Sequence, residues 1–366
     1  MQVKGALSQK ELDSRIADHQ AWLKDPSKGE KFQVAGDFIG LTLTGNLNYA
    51  VMSGCDFTFT TWDNVRLDNA VIENCKFSDA KMQSVSVAPG NTATLKDCDF
   101  KRTTLNSIQL HDCKLSDLTF QDSIIVNLSL LRCRSFDLSF ANSTWKYGGF
   151  LGGEAERVNL TGTTIDNFFL KDCRILYLTA PELDFSKIEN AEGAELILGN
   201  FDGADLTNIR PGTAGNGVEM KMKSLARSSF VGAKMTGSSF RDVEVYGCTF
   251  RGAMLSDASF SGPSLDGCDF SSVTAAPFHI ENCSAYRAEF DNARGGNWDV
   301  INCGLSRADF AGSDLKHSKF VYCDLTGSSF VAAHTETVTF GSCDLDGATW
   351  VDGRRCQVGS FGNCKL

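Results

Sequence analysis

The sequence predicts an all-β solenoid whose coils have four five-residue sides, with a short α-helical cap at the N-terminal end. Three observations predict it. From Val218 to Trp350 one register holds at five-residue steps through Met220, Phe230, Phe240, Phe250, Phe260, Phe270, Phe290, Phe310, Phe320, Phe330, Phe340 and Trp350. Two residues before most centres sits a small one, such as Ala233, Cys248, Ala288, Ser313 or Cys323. Columns taken at every fourth pentad keep their chemistry: Phe230, Phe250, Phe270, Phe290, Phe310, Phe330 and Trp350 are all aromatic.

A five-residue period fits neither a helix at 3.6 nor a strand at 2. It fits a chain that turns a corner every five residues. The large residue (position i) and the small one (i−2) face inward, and i−1, i+1 and i+2 face outward. A column that repeats at every fourth pentad then means four sides per coil, with like residues stacked on like at about 4.8 Å.

Residues 1–30 form the N-terminal element. The run 8–24 reads as a helix opened by a Ser8/Glu11 capping box and stopped by Pro26. Leu12, Ile16, His19, Trp22 and Leu23 share one face. This face covers the open end of the solenoid, because a terminal repeat needs protection against edge pairing. The alternative makes Leu12, Ile16, Trp22 and Leu23 a docking face for a partner.

Residues 31–366 form the repeat region, with breaks expected near 88–94, 146–157 and 210–217. The first coils run through Leu47, Met52, Phe57, Trp62, Leu67, Ile72, Phe77, Met82 and Val87. The next centre, Leu95, comes eight residues on, so three residues must loop out. The Gly-rich stretch 146–157 reads as a loop or bend. The register slips by one across Glu189–Glu195. The run Arg210–Gly217 is the strongest break, read as a loop with a hinge as the alternative. After Trp350 the tail still carries repeat-like CQV and CKL steps.

The pentads AEFDN (288–292), ADFAG (308–312), CDLTG (323–327), CDFSS (268–272) and ADLTN (204–208) resemble the pentapeptide repeat family, whose pattern is A(D/N)LxX. The resemblance covers residues from about 40 to 366 and implies a right-handed quadrilateral β-helix. The segment ELDSRIADHQAWL (11–23) is similar to one that precedes the first repeats in phage-borne and bacterial members.

All fourteen cysteines fall at i−2, where a thiol serves as a small buried hydrophobe. No CxxC pair occurs, which argues against zinc. Stacked reduced thiols point to a cytoplasmic setting. The start MQVKGALSQK lacks an apolar signal-like core, and no 18-residue apolar run predicts membrane insertion. A net charge of −10 argues against direct nucleic-acid binding.

No catalytic residues, metal ligands or cofactor are expected. His111-Asp112-Cys113 is suggestive only in sequence, because Cys113 faces inward. The outward i−1 aspartates, among them Asp269, Asp309, Asp314, Asp324 and Asp344, form a candidate acidic face. A plainer reading is that Asp suits the turn at that position. Between Val218 and Trp350 there are 16 acidic and 11 basic residues, a mild excess.

The expected function is a non-enzymatic rod that binds protein partners or scaffolds them, with homo-oligomerisation left open. Resemblance to fluoroquinolone-resistance members implies an alternative, a DNA-mimicking modulator of DNA gyrase or topoisomerase IV. The N-terminal resemblance implies another, a component or adaptor of a phage particle or contractile secretion system.

Overall fold

The computed structural model describes residues 7–211 and 218–366. The break expected at 210–217 and the cap expected at 1–30 therefore lie partly outside the described residues. The chain divides into two compact units, 1–179 with 187–190, and 180–186 with 191–366. The seam falls where the sequence register slips. There Asp184 bridges Asp205 and not Ala204, the partner that a regular coil would give it.

The first unit opens with the helix Gln9–Lys24. The Ser8 hydroxyl accepts from the Glu11 amide, and the Glu11 carboxylate accepts from the Ser8 amide, completing the capping box. Two parallel ladders follow. One takes strands such as Lys114–Thr119, Arg134–Ser139, Glu154–Asn159 and Arg174–Thr179. The other takes Thr104–His111, Ile124–Leu131, Thr144–Leu151 and Thr164–Phe169. Partners lie four pentads apart, as in Ile125↔Trp145 and Leu115↔Ser135. Phe57, Phe77, Phe100, Phe120 and Phe140 stack inside, with successive ring centroids 4.6–5.0 Å apart.

In the second unit one side pairs continuously through Ser239–Arg241, Ala258–Ser261, Phe278–Glu281, Trp298–Ile301, Lys319–Val321 and Thr339–Gly341. The other sides are joined by isolated parallel bridges such as Ser224↔Glu244, Ser229↔Thr249 and Lys234↔Met254. Phe230, Phe250, Phe270, Phe290, Phe310 and Phe330 form one buried stack at 4.8–5.4 Å.

The corners explain the outward composition. The i+2 residue sits in the left-handed region, as at Asn64 (φ 53), Asp117 (φ 56), Arg307 (φ 60) and Gly252 (φ 67). In the second unit many corners close with a hydrogen bond such as Ala253 N to Phe250 O at 2.9 Å. A four-residue turn with positive φ at its third position selects Gly, Asn or Asp there.

The breaks behave differently from one another. Val71 pairs with Thr94, where a regular coil would bring it to Asn91, so the coil holds three extra positions around 88–94. Glu195 bridges Ser224, where a regular coil would reach position 215, so nine positions are extra in the coil that contains the break at 210–217. At 146–157 no loop forms, which corrects that half of the sequence reading, and the chain bends at Gly152 (φ 71) and Gly153 (φ 83) between two strands. Residues Thr144–Leu151 and Glu154–Asn159 are ladder strands in unbroken register. The glycines are there for clearance. A Cβ at Gly148 would lie 2.0 Å from the Leu128 carbonyl oxygen, to which the Trp145 indole donates.

The tail is a second correction. After Trp350 the chain turns at Gly353 (φ 84) and runs back against the last coil. Bridges Thr349↔Arg355 and Asp344↔Phe361 are antiparallel. This reversal brings Cys356 and Cys364 into a disulfide, so they are not stacked core thiols. The other twelve cysteines lie outside any disulfide and are buried. Several donate to a carbonyl of the previous coil, as Cys248 does to Leu225 O at 3.1 Å and Cys268 to Val245 O at 3.1 Å. Burial pushes the Cys268 thiol up to about 12, which leaves it protonated and unreactive.

Candidate protein-interaction surfaces

The N-terminal helix spends its apolar face on the first coil. Leu12 is 0 % and Ile16 8 % exposed. Neither is free to dock a partner, which corrects that alternative. His19 is fully buried, and its Nδ1 accepts from the Phe32 amide at 3.0 Å. Trp22 is half-buried, stacks on His19 at 5.6 Å and meets Tyr49 edge-on at 6.4 Å. Leu23 is half-buried too.

The acidic candidates do not share a face. Asp269 and Asp309 lie in one column with Glu289 between them, Asp324 and Asp344 in a second, and Asp314 in a third. Each carboxylate accepts from the amide two residues on: Asp269 from Ser271 at 2.8 Å, Asp309 from Ala311 at 2.9 Å, Asp314 from Lys316 at 3.2 Å, Asp324 from Thr326 at 2.9 Å, and Asp344 from Asp346 at 3.0 Å. They are turn-forming groups first. In Glu289, burial, and then Asp269, Asp291 and Asp309, push the carboxyl above its ordinary value.

His111, Asp112 and Cys113 do not converge on a reaction centre. Asp112 receives two bonds from Arg132, both at 2.9 Å, and Cys113 is buried. Among the described residues no group of three or more His, Cys, Asp or Glu is placed to hold a metal ion. Among them, no helix is long and apolar enough to cross a membrane.

The arrangement that sequence reasoning missed lies on the outer face of strands 134–139, 154–159 and 174–179. Phe136 and Tyr177 point outward, 37 % and 48 % exposed. The Arg157 guanidinium lies 3.8 Å over the Phe136 ring and donates twice to Asp137 one coil below. The Arg157 bond holds the Asp137 carboxyl below its usual range. Two shallow depressions flank this centre. One, about 620 Å³, is bordered by Ser139, Glu156, Tyr177 and Thr179. The other, about 170 Å³, is bordered by Arg134, Phe136, Arg174 and Leu176. The signal was in the sequence as acid and arginine one coil apart at corner positions: Asp112/Arg132 and Asp137/Arg157, with Asp79/Arg102 across the coil lengthened by three.

The second unit carries a related stripe. Arg287 lies 5.1 Å and Arg307 6.0 Å from the Tyr286 ring, and Arg227 lies 5.8 Å from that of Tyr246. A flat ladder face with exposed aromatics and arginines offers the residue types that dominate protein interfaces.

A family model described as pentapeptide repeats matches residues 50–86, 233–271 and 299–330, in eight copies. Those matched stretches are pentapeptide repeats. Solved structures similar to this repeat chain include QnrB1, a plasmid-mediated fluoroquinolone resistance protein. Its full-length form is 16 % identical, over 64 % of this chain and 94 % of that one, with a TM-score of 0.22. A trypsin-treated form of QnrB1 is 19 % identical over 48 % and 78 % of the two chains, at 0.21. HetL, a pentapeptide repeat protein involved in heterocyst differentiation regulation from the cyanobacterium Nostoc sp. strain PCC 7120, is 16 % identical over 97 % and 99 %, at 0.14. No curated protein matches the sequence.

Proposed function

We propose that this pentapeptide repeat chain is a non-catalytic scaffold that docks protein partners on its outer ladder faces. One observation carries the reading. The face centred on Phe136, Arg157 and Tyr177 exposes two aromatic side chains on a parallel ladder, between two shallow depressions. Rigid aromatics give contact area at low entropic cost, and a ladder fixed by core stacking adds little reorganisation on binding.

A DNA-mimicking role draws on the column Asp269, Glu289, Asp309, three carboxylates at one-coil spacing. The remaining candidate aspartates sit in other columns, and the outer faces also carry Arg227, Arg287 and Arg307, so the docking reading fits the surface better.

The test is affinity capture from host lysate with the full chain, read by mass spectrometry. Wild type is compared with a Phe136→Asp/Tyr177→Asp double variant whose melting temperature is checked first. Proteins captured by wild type and lost by an equally stable variant support the reading. An identical set from both would sink it. Gyrase or topoisomerase IV subunits retained by the variant, and lost by an Asp269→Asn/Glu289→Gln/Asp309→Asn triple variant, would establish the mimic instead.

A further inference from the structure

The first unit encloses a void in its core. One inward column of this unit runs Trp62, Met82, Leu105, Ile125, Trp145, each paired in register with the next. Indoles fill the column at both ends, and narrower side chains stand between them. The neighbouring Phe column keeps its spacing, so the sides cannot draw together where the indoles are missing. An internal cavity of about 40 Å³ results, bounded by residues that include Trp62, Met82, Leu95, Leu105, Ile108 and Leu110.

Two further facts mark it as interior and apolar. No residue of its wall is more than 7 % exposed, and no polar atom opens onto it. Residual exposure gathers on the wall: Met82 and Phe120 are at 7 %, Leu95 at 6 %, Ile108 and Leu110 at 5 %. In the second unit Phe230, Phe250, Phe270 and Phe290 are each at 0 %.

We propose that this cavity is a binding site for one small apolar molecule of the size class of xenon or dioxygen. The space exceeds the roughly 10–15 Å³ that a water needs, but a buried water needs two to four polar partners and the wall supplies none. The site is therefore dry. A guest recovers the dispersion contacts that the wall has lost. Benzene is excluded by size, since the engineered cavity that takes it in another protein measures roughly 150 Å³.

Xenon is the probe, with the full-length chain. Xenon-129 NMR on wild type should show a protein-dependent shift that saturates. Leu105→Trp, which extends the column's own indole filling, should abolish that shift. Leu105→Ala, which enlarges the void, should strengthen xenon binding several-fold and admit benzene, seen as a rise in melting temperature with benzene for that variant alone. Because the two variants act in opposite directions, a folding failure in one leaves the other decisive. No saturable shift in wild type would overturn the proposal. So would an unchanged shift in folded Leu105→Trp, or a benzene-induced rise in wild type.

Discussion

Gln9 takes both backbone hydrogen bonds of Thr42. Its Nε2 donates to the Thr42 carbonyl and its Oε1 accepts from the Thr42 amide, each at 2.8 Å. A helix side chain thereby stands in for the neighbouring strand that the first coil lacks. Open ladder edges template pairing with other chains, so the amide works as an edge blocker as well as an anchor.

Replacing that amide should loosen the first coil. Gln9→Ala is expected to lower stability by about 1 kcal/mol, since exposed hydrogen bonds contribute modestly. Exchange of the Thr42 amide should speed up severalfold. Gln9→Glu should lose only the bond to the Thr42 carbonyl, because a carboxylate can still accept from the Thr42 amide but cannot donate. Unchanged protection at Thr42 in Gln9→Ala would refute the edge-blocking role.

His19 should make docking of the helix depend on pH. Burial lowers its pKa, with Lys31 adding to the effect, so the folded form holds the neutral ring. The unfolded value is about 6.5. Above that pH both states are neutral and folding is unaffected. As pH falls below it, the unfolded chain binds the proton first and stability drops, until the lower folded pKa is passed and the loss levels off. The steepest slope for one proton is about 1.4 kcal/mol per pH unit. His19→Gln should remove this component, measured as the difference in melting temperature between neutral and mildly acidic buffer. Equal differences in the two proteins would show that His19 plays no part.

The Cys356–Cys364 disulfide should hold the returning tail against the last coil. The tail meets that coil through Leu345 N to Ser360 O at 2.8 Å and Gly347 N to Cys356 O at 3.0 Å. Closing a loop of this size adds about 2–3 kcal/mol in the chain-entropy account. Cys356→Ser/Cys364→Ser should speed exchange at the Leu345 and Gly347 amides and leave ladder amides such as those of Phe260 and Val300 protected. Full protection at Leu345 in the variant would mean that packing alone holds the tail.

Much of this was readable in advance, for a physical reason. The Phe290 column and the three extra residues before Leu95 follow from a period that admits only one inward register. Gly148 and Gly149 misled because glycine marks both loops and close backbone approach, and only the neighbouring carbonyls of Leu128 and Phe169 distinguish the two. Cys356 and Cys364 misled because the tail keeps repeat-like spacing while its direction reverses at Gly353. The helix face was legible from Leu12 and Ile16, but what it covers depends on Thr42 and Phe32, which lie outside the pattern. The Phe136–Arg157–Tyr177 surface joins residues on successive coils whose outward positions carry no common residue type.

The extra residues at 88–94, and the nine in the coil between Glu195 and Ser224, leave the next rung in register. Ornament and frame are therefore separable in this chain. A corner can gain a segment while the stack above and below keeps its pairing, and doubling a flexible insert costs only about 0.6 kcal/mol. Such corners are natural graft points, where new recognition sequences can be tried one coil at a time without renegotiating the core.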